Sequence, residues 1–409
     1  MQAWFNTIQT AVDNRFDDMV SVRRHLHAHP ELSGHEHDTS LFLYRKLTES
    51  SFGVRIGPES RGVIVDHCDP RDKNPTALLA LRADIDALRI QDQKTVEYCS
   101  QNPGVMHACG HDAHTAICLG TLLAIQDLAC DDALPWPVHL RGIFQPAEET
   151  CAGAKEMIAA GAIESVDAIL SLHVDPTRRV GRVGIREGVL TANCDAMSIR
   201  ITGRGGHAAR PHEASDPIAA GAQLINSLYM FVPRRTDSQD AVVLTIGQIS
   251  GAETQNAIPE WIQLGGSLRT LDREVRRKTI EHILELAEGI GKVSGTTIEV
   301  DFGVAAGSVD NSSELVRLVQ QAACGVIGAE VIEGIPRPSM GSEDFAFYLE
   351  HLPGAMFRLG CTSDNKGGSG LHTPAFDIDE ESLRVGAQIL AATAVLWCEP
   401  EAAKTSYQI

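Results

Sequence analysis

The chain has 409 residues, of which 43% are hydrophobic and 22% charged, and its formal net charge at pH 7 is -19. This length predicts two domains, and the composition is typical of a globular protein with a large apolar core. A net charge of that sign argues against the basic surfaces that bind nucleic acid or anionic membranes, so we expect neither as a partner. Local arginines can still hold an anionic substrate.

The amino-terminal residues and the cysteines indicate the cellular compartment of the protein. The chain does not begin with the cationic start and apolar run of a secretory signal, and we find no stretch of about 18 apolar residues that would span a membrane. Ten cysteines are scattered without regular spacing, which is not the pattern of a disulfide framework. We therefore predict a cytoplasmic protein.

The first part of the chain alternates strand-like and helix-like segments. Apolar runs that predict strands lie at 62–68, 77–84, 138–144 and 167–174. Helical periodicity is seen at 112–129 and 152–161. This alternation predicts an α/β sheet with helices on both faces.

From about Val183 the pattern changes. Strand, helix, strand, strand, helix and strand are predicted in turn at 197–203, 215–231, 241–250, 261–270, 273–293 and 296–303. This is the order of the split ferredoxin-like unit. After about residue 305 the mixed α/β pattern returns. We therefore predict a discontinuous catalytic α/β domain over 1–183 and 305–409, with a smaller α+β domain, 184–304, inserted in it.

Side chains of metal-binding types follow several predicted strands. Because ligands gather at the carboxyl ends of strands in an open α/β sheet, we expect these side chains to converge. Asp84 and Asp86, Glu148 and Glu149, and His173 follow predicted strands, and Cys109 and His111 lie just before a predicted helix. Thiolate, imidazole and carboxylate together suit zinc, with manganese, cobalt and nickel as alternatives.

The adjacent residues Glu148 and Glu149 are expected to have different roles, because neighbouring side chains point in different directions. One can bind a metal ion while the other faces an open coordination position as a general base. Since one ion needs only three or four protein ligands, the set, with one further histidine, is large enough for two ions.

Each feature also has an ordinary interpretation on its own. Cys109 and His111 can be structural, paired glutamates are usually a solvated turn, and His173 can be a core histidine. Cys109 can also be a nucleophile with a nearby histidine as its base. That hypothesis leaves Glu148 and Glu149 unexplained, so convergence of the whole set favours the metal site.

A second histidine-rich segment, RRHLHAHPELSGHEH (23–37), has no strand end nearby. We interpret it as a helix that packs on the sheet, followed after Pro30 by a hydrated loop. His25 and His29 share one face of that helix, where at most a weak adventitious metal site is expected.

Several motifs occur in a characteristic order: RRHLHAHPEL, LRADIDAL, SQNPGVMHACGHDAHTA, FQPAEE, GRGGHAARPH, QNAIP, MGSEDFAFY and LHTPAFDID. They resemble the amidohydrolase branch of the dinuclear-zinc aminoacylase and carboxypeptidase G superfamily. That branch includes hippurate hydrolases, bacterial N-acyl-amino-acid amidohydrolases and plant auxin-conjugate hydrolases. The resemblance spans almost the whole chain and implies a zinc-exopeptidase-like catalytic domain, an inserted lid and two divalent ions per subunit.

The resemblance also implies residue roles in the catalytic domain. Glu148 matches the catalytic base, which takes a proton from the attacking water and later hands it to the leaving amine. Asp84 matches a residue that orients its neighbours from behind the ligands. The family's metal ligands fall on Cys109, His111, Glu149, His173 and His372.

In the insert, His207 matches a histidine that reaches a neighbouring subunit's active site and stabilises the oxyanion. The insert also mediates dimerisation in the family, which implies a homodimer or a larger homo-oligomer. Asn256 and Arg269 match positions that contact the substrate's free carboxylate, although Arg269 can equally be a strand-end surface arginine. Ser342 matches a loop beside the substrate.

We therefore expect metal-dependent hydrolysis of N-acyl amino acids, such as N-acetyl or benzoyl conjugates, to a carboxylic acid and a free amino acid. One alternative is a dipeptidase or carboxypeptidase on the same scaffold, in which Asp175 is a candidate partner for the substrate's amine. Another is a non-catalytic metal-binding dimer. The presence of Glu148 argues against the last, since binding alone does not need a base.

Overall fold

The computed structural model of the chain describes residues 4–50, 52–72, 77–303, 306–364 and 366–400. Two compact units are formed. The first comprises Met1–Leu190, Val309–Arg337 and Asp344–Ile409, and the second comprises Thr191–Ser308 and Pro338–Glu343.

The bounds of the units differ from those predicted for the insert. The insert was predicted to begin at residue 184, but the chain up to Leu190 lies in the first unit. The reason is that Val183–Ile185 is a strand that pairs within the sheet of that unit. The predicted end, residue 304, lies outside the described residues.

The α-helices of the described residues are, in chain order, α1 (Trp4–Asn14), α2 (Phe16–Ala28), α3 (His37–Glu49), α4 (His111–Cys130), α5 (Gly153–Ala159), α6 (Pro217–Arg235), α7 (Arg273–Ser294), α8 (Ser313–Ile327) and α9 (Glu381–Trp397). The strands are β1 (Gly53–Ile56), β2 (Val63–His67), β3 (Leu79–Asp84), β4 (Leu140–Gln145), β5 (Ala168–Arg179), β6 (Val183–Ile185), β7 (Gly188–Val189), β8 (Asn193–Thr202), β9 (Gly206–His207), β10 (Val242–Ser250), β11 (Ala257–Ile258), β12 (Trp261–Thr270), β13 (Thr297–Phe302), β14 (Asp310–Asn311), β15 (Ile332–Gly334) and β16 (Gly354–Thr362).

The first unit is built on a mixed sheet with the strand order β1-β2-β4-β3-β5-β16-β6-β15. Its centre, β4-β3-β5-β16, is parallel. Alternate side chains of each central strand enter different cores: Leu79 and Leu81 of β3 face one apolar cluster, whereas Ala80 faces the other. This period of two buries both faces of the sheet, which confirms the predicted α/β fold.

Helix α4 lies in the core of the first unit. It is the helix among the described residues that is long and apolar enough to cross a membrane, although the sequence predicted no such stretch. However, 83% of its most apolar window is buried inside the unit, as expected for a core helix.

The second unit is a four-stranded antiparallel sheet with the order β10-β12-β8-β13, packed against α6 and α7. The chain order is strand, helix, strand, strand, helix, strand, so the predicted ferredoxin-like unit is confirmed. Asp216 caps α6 by accepting hydrogen bonds from the Ile218 and Ala219 N–H groups.

Strand register in the first unit brings the polar strand ends together. Asp84, the last residue of β3, pairs with Gln145, the last residue of β4. Arg82 pairs with Ser171 of β5, so His173, two residues further along, lies level with Asp84. His173 of β5, a strand that continues to Arg179, therefore lies at the same edge of the sheet as the carboxyl ends of β3 and β4.

Candidate metal centre

The five predicted ligands converge at this edge. The Cys109 sulfur lies 3.4 Å from His173 Nε2 and 3.3 Å from His372 Nε2. Glu149 Oε1 lies 3.5 Å from His372 Nε2 and 4.0 Å from His111 Nε2. Two overlapping groups suited to a metal ion result, one with Cys109, His111 and His173 and one with Cys109, Glu149 and His372.

Hydrogen bonds turn the imidazole rings so that Nε2 faces the centre. His111 Nδ1 donates to the carbonyl oxygen of Asp86 at 3.0 Å and to its Oδ1 at 3.1 Å. His173 Nδ1 donates to the carbonyl oxygen of Val174 at 2.8 Å. Each ring therefore carries its proton on Nδ1 and keeps the Nε2 lone pair for a ligand, as in metal-binding histidines.

The residues present fit metal ions. Within the described chain, His111 Nε2 and Glu149 Oε1 are buried without a hydrogen-bond partner, which is costly unless a ligand occupies the space between them. The Cys109 sulfur and the Glu149 carboxylate raise the pKa of His372 to about 10, so the centre attracts positive charge. Thiolate, imidazole and carboxylate donors in two groups suit two divalent ions.

Glu148 lies beside the centre and is 7% exposed. Its Oε2 is 4.0 Å from His111 Nε2, and its Oε1 accepts a long hydrogen bond, 3.4 Å, from the Asp344 backbone N–H. The carboxylate is thus close enough to act on a molecule bound at the centre.

Asp84 lies behind the ligands. Its Oδ1 accepts from His114 Nδ1 at 2.7 Å, and its Oδ2 accepts from Arg82 Nη1 at 2.7 Å. Burial alone would raise the pKa of Asp84, but the charges of His111, His114 and Arg82 hold it well below its usual value. His114 Nε2 in turn accepts from the Val174 N–H, next to His173.

The second histidine-rich segment, 23–37, makes contacts to this site that the sequence did not predict. Arg23 is completely buried and donates to Asp112 at 2.9 Å, and His27 Nδ1 bonds the same carboxylate at 2.7 Å. Asp112 directly follows His111 on α4. The prediction that this helix packs on the sheet is refined, since α2 packs on α4.

The prediction of a hydrated loop after Pro30 holds for the exposed His35 and His37 but is wrong for Ser33 and Glu36. Ser33 Oγ donates to Asp86 at 2.5 Å, and Glu36 is completely buried. No local sequence signal separates these residues from solvated ones. Arg23 and Arg24 are adjacent, yet the side chain of Arg24 is 42% exposed.

The remaining predicted residues lie in the second unit. His207 pairs with Ala257 across β9 and β11, and the Ala208 N–H donates to the Asn256 carbonyl oxygen at 3.1 Å. His207 is exposed, and its Nδ1 accepts from the Ala209 N–H, which leaves the proton of the neutral ring on Nε2.

Arg269 donates to the carbonyl oxygen of Met340 at 2.7 Å. It thereby holds the loop in which the half-buried Ser342 lies. The roles predicted for His207, Asn256, Arg269 and Ser342 at a substrate stay predictions.

Comparison with known proteins gives a consistent assignment. The model of peptidase family M20/M25/M40 matches residues 80–395. The chain is 37% identical to an N-acetyl-L-cysteine deacetylase of Bacillus subtilis, over 92% of this chain and 87% of that protein. It is 33% identical to thermostable carboxypeptidase 2 of Saccharolobus solfataricus, over 93% and 95% of the two chains.

A solved structure is also similar. The YXEP protein of Bacillus subtilis, described as a dinuclear metal binding peptidase, superposes with a TM-score of 0.79 at 33% identity, over 94% of this chain and 98% of that one. Fold and site together define an enzyme that hydrolyses amide bonds and holds two metal ions. The chain belongs to peptidase family M20/M25/M40.

Proposed function

We propose that the protein hydrolyses N-acyl amino acids to a carboxylic acid and a free amino acid. The observation that carries the proposal is the position of Glu148, a carboxylate 4.0 Å from a histidine of the donor cluster and placed for proton transfer. The similarity to an N-acetyl-L-cysteine deacetylase supports this substrate class.

The proposed metal ligands are Cys109, His111, Glu149, His173 and His372. The preferred ion is zinc, because the set combines thiolate, imidazole and carboxylate, with manganese, cobalt or nickel as alternatives. When bound, such ions polarise a carbonyl group and lower the pKa of water.

The chain's own residues move the protons in this proposal. Glu148 takes a proton from the attacking water and passes it to the nitrogen of the leaving amino acid, which has to be protonated before it departs. The Asp344 N–H orients the Glu148 carboxylate. Asp84 fixes His114 and Arg82 behind the ligands.

The exposed His207 is proposed to stabilise the oxyanion in the active site of a neighbouring subunit. Nε2 carries the proton of its neutral ring, so it can donate a hydrogen bond to developing negative charge. Asn256 and Arg269 are proposed to hold the substrate's free carboxylate, and Ser342 is proposed to line the substrate pocket.

The alternative substrate is a peptide with a free amine, as the similarity to a carboxypeptidase suggests. Asp175 was the candidate partner for that amine. Its carboxylate instead accepts from the Thr177 N–H at 2.9 Å, the Thr177 hydroxyl at 2.6 Å and Arg178 Nε at 3.0 Å. Because the Asp175 carboxylate is already bound to neighbouring residues of its own strand, the N-acyl substrate is favoured.

A homodimer, or a larger homo-oligomer, is proposed through the second unit. Tyr229, Met230 and Phe231 on α6 and Val243 and Ile249 on β10 are between 43% and 64% exposed. Large apolar side chains gathered on a surface are typical of interaction sites, and β10 is an edge strand with unpaired backbone groups. The cysteines of the described residues other than Cys151 carry free thiols, which supports the proposal of a reducing, cytoplasmic compartment.

The central test is Glu148→Ala. We expect the variant to keep both metal ions and to lose turnover of N-acetyl amino acids by about 10²- to 10⁴-fold, the usual contribution of a general base. Elemental analysis and steady-state kinetics measure the two quantities. Wild-type turnover in a fully metal-loaded variant would exclude this role, and faster turnover of free dipeptides by the wild type would favour the alternative.

Sharing of sites between subunits is tested with His207→Ala. Alone, this variant is expected to lose turnover but little metal. Mixed with Glu148→Ala, it should regain part of the activity, since one site of each heterodimer has both residues. No recovery in verified heterodimers would argue that His207 does not act across subunits.

A further inference from the structure

The turn that carries Glu148 has an unusual backbone. Ala147, immediately before the base, adopts a left-handed conformation with φ of 54°, and so does Cys151 at the end of the turn. Residues other than glycine rarely adopt this conformation, and at functional sites it persists only where the surroundings hold it. The contacts that hold this turn therefore bear on how the base is placed.

Glu36 holds the turn from one side. It is completely buried, and its Oε1 accepts a hydrogen bond from the Ala147 N–H at 2.8 Å and another from the Gly34 N–H at 2.8 Å. Arg61 Nη1 lies 3.6 Å from the other carboxylate oxygen. A single side chain oxygen thus bridges the loop before α3 to the left-handed residue of the catalytic turn.

Asp86 holds the turn from the other side. Its Oδ2 accepts from the Glu149 N–H at 3.0 Å and from the Ser33 hydroxyl at 2.5 Å. Its Oδ1 accepts from His111 Nδ1 at 3.1 Å. The residues on both sides of Glu148 therefore donate their backbone N–H groups to buried carboxylates.

We propose that Glu36 is a positioning residue for the catalytic base: by accepting the Ala147 N–H, it fixes the left-handed turn that presents Glu148 to the metal centre. The inference rests on the proposed function for the identity of the base. Glu36 contacts neither a metal ligand nor the reacting groups, so its effect passes through the backbone of the turn.

Substitutions of Glu36 can distinguish this positioning role from a requirement for negative charge. Burial raises the pKa of Glu36. A glutamine side chain has a carbonyl oxygen at the same distance from the backbone and can accept the same two N–H groups. Leucine fills a similar volume but accepts none.

The experiment compares Glu36→Leu, Glu36→Gln and Leu43→Ala. Leu43 is completely buried on α3, the helix that follows Glu36, and serves as the matched control for a general loss of stability. For each purified variant, kcat and KM for an N-acetyl amino acid, metal content and melting temperature are measured. Amide hydrogen exchange is measured on peptides that cover 145–152.

We expect Glu36→Leu to lower kcat by about 10- to 100-fold with KM and metal content near wild type, because small displacements of a catalytic group have effects of this size. Exchange at the Ala147 amide should become faster. Glu36→Gln should keep kcat within about 3-fold of wild type and slow exchange. Leu43→Ala should lower the melting temperature and leave kcat and exchange in the turn unchanged.

Three results would overturn the proposal: wild-type kcat and exchange in Glu36→Leu, an equal loss of kcat in Leu43→Ala, or loss of a metal ion from Glu36→Leu. If Glu36→Leu does not fold, Glu36→Asp keeps the charge but withdraws the acceptor by one methylene, and the same criteria apply to it. If the wild type hydrolyses no N-acyl amino acid, the proposed function fails, whereas the exchange comparison still decides whether Glu36 holds the turn.

Discussion

The chain contains two histidine-rich segments, 104–116 and 23–37, and they differ in what they supply. The first places Cys109 and His111 at the carboxyl edge of the sheet, where they meet Glu149, His173 and His372. The second supplies none of the proposed ligands. It supplies Arg23, His27, Ser33 and Glu36, which bond the residues around the site.

The difference follows from where each segment lies in the fold. His111 is the first residue of α4, which begins directly after Gly110 at the ends of the parallel strands. The histidines of α2 are distributed around a helix with 3.6 residues per turn, so they face different surroundings. His27 faces Asp112 of α4, whereas His25 stacks on Phe42 and contacts His29. The number of histidines therefore does not identify a metal site, and proximity to strand ends does.

Removal of the bound metal should have the largest effect on turnover. Chelation followed by desalting should abolish turnover, because the substrate carbonyl is then no longer polarised. Turnover is measured before and after zinc or manganese is added back. Full activity in a sample shown by elemental analysis to be metal-free would refute the mechanism.

Cys109→Ala should come next. It removes the sulfur that belongs to both candidate ligand groups, so the bound metal per subunit should fall and turnover should drop by at least about 100-fold, more than loss of an outer-sphere partner causes. Metal content and kcat are the measurements. A variant that still binds two ions per subunit would remove Cys109 from the ligand set.

Arg23→Leu tests the second segment. The change leaves Asp112 buried without its guanidinium partner, and breaking a buried ion pair typically costs about 3–5 kcal/mol of unfolding free energy. Arg24→Leu is the matched control: its side chain is 42% exposed, and its partner Glu380 keeps a contact with Arg23, so we expect a smaller loss. Denaturant unfolding measures both, and equal losses in the two variants would contradict the assigned difference in burial.

The smallest effect is expected for the double variant His25→Ala/His29→Ala. The two rings contact each other, and His25 also stacks on Phe42, but neither belongs to a group of potential metal ligands among the described residues. Metal stoichiometry and kcat should stay at wild-type values, with a change in stability below about 1 kcal/mol. A drop in bound metal would mean that the second segment also holds an ion.

Much of the fold and most of the proposed metal ligands could be predicted from the sequence. Period-two apolar runs and helical periodicity predicted the order of elements, since local backbone geometry and burial of one face dictate those patterns. Glu149 and His173 were predicted from their positions after strands, because parallel strands bring their carboxyl ends to one edge, and Cys109 and His111 from their position just before a helix. His372, with no strand before it, was found only through the resemblance of its motif.

Tertiary structure alone decided which polar residues are buried and what they bond. Arg23 reaches Asp112, 89 positions away, and Glu36 reaches Ala147, 111 positions away. Nothing near these residues in the sequence indicates such partners, because the free energy of burying a charge depends on the groups packed around it rather than on its neighbours in the chain. The set of proposed ligands was therefore indicated by the sequence pattern, whereas the contacts that hold these residues were determined only when distant segments packed together.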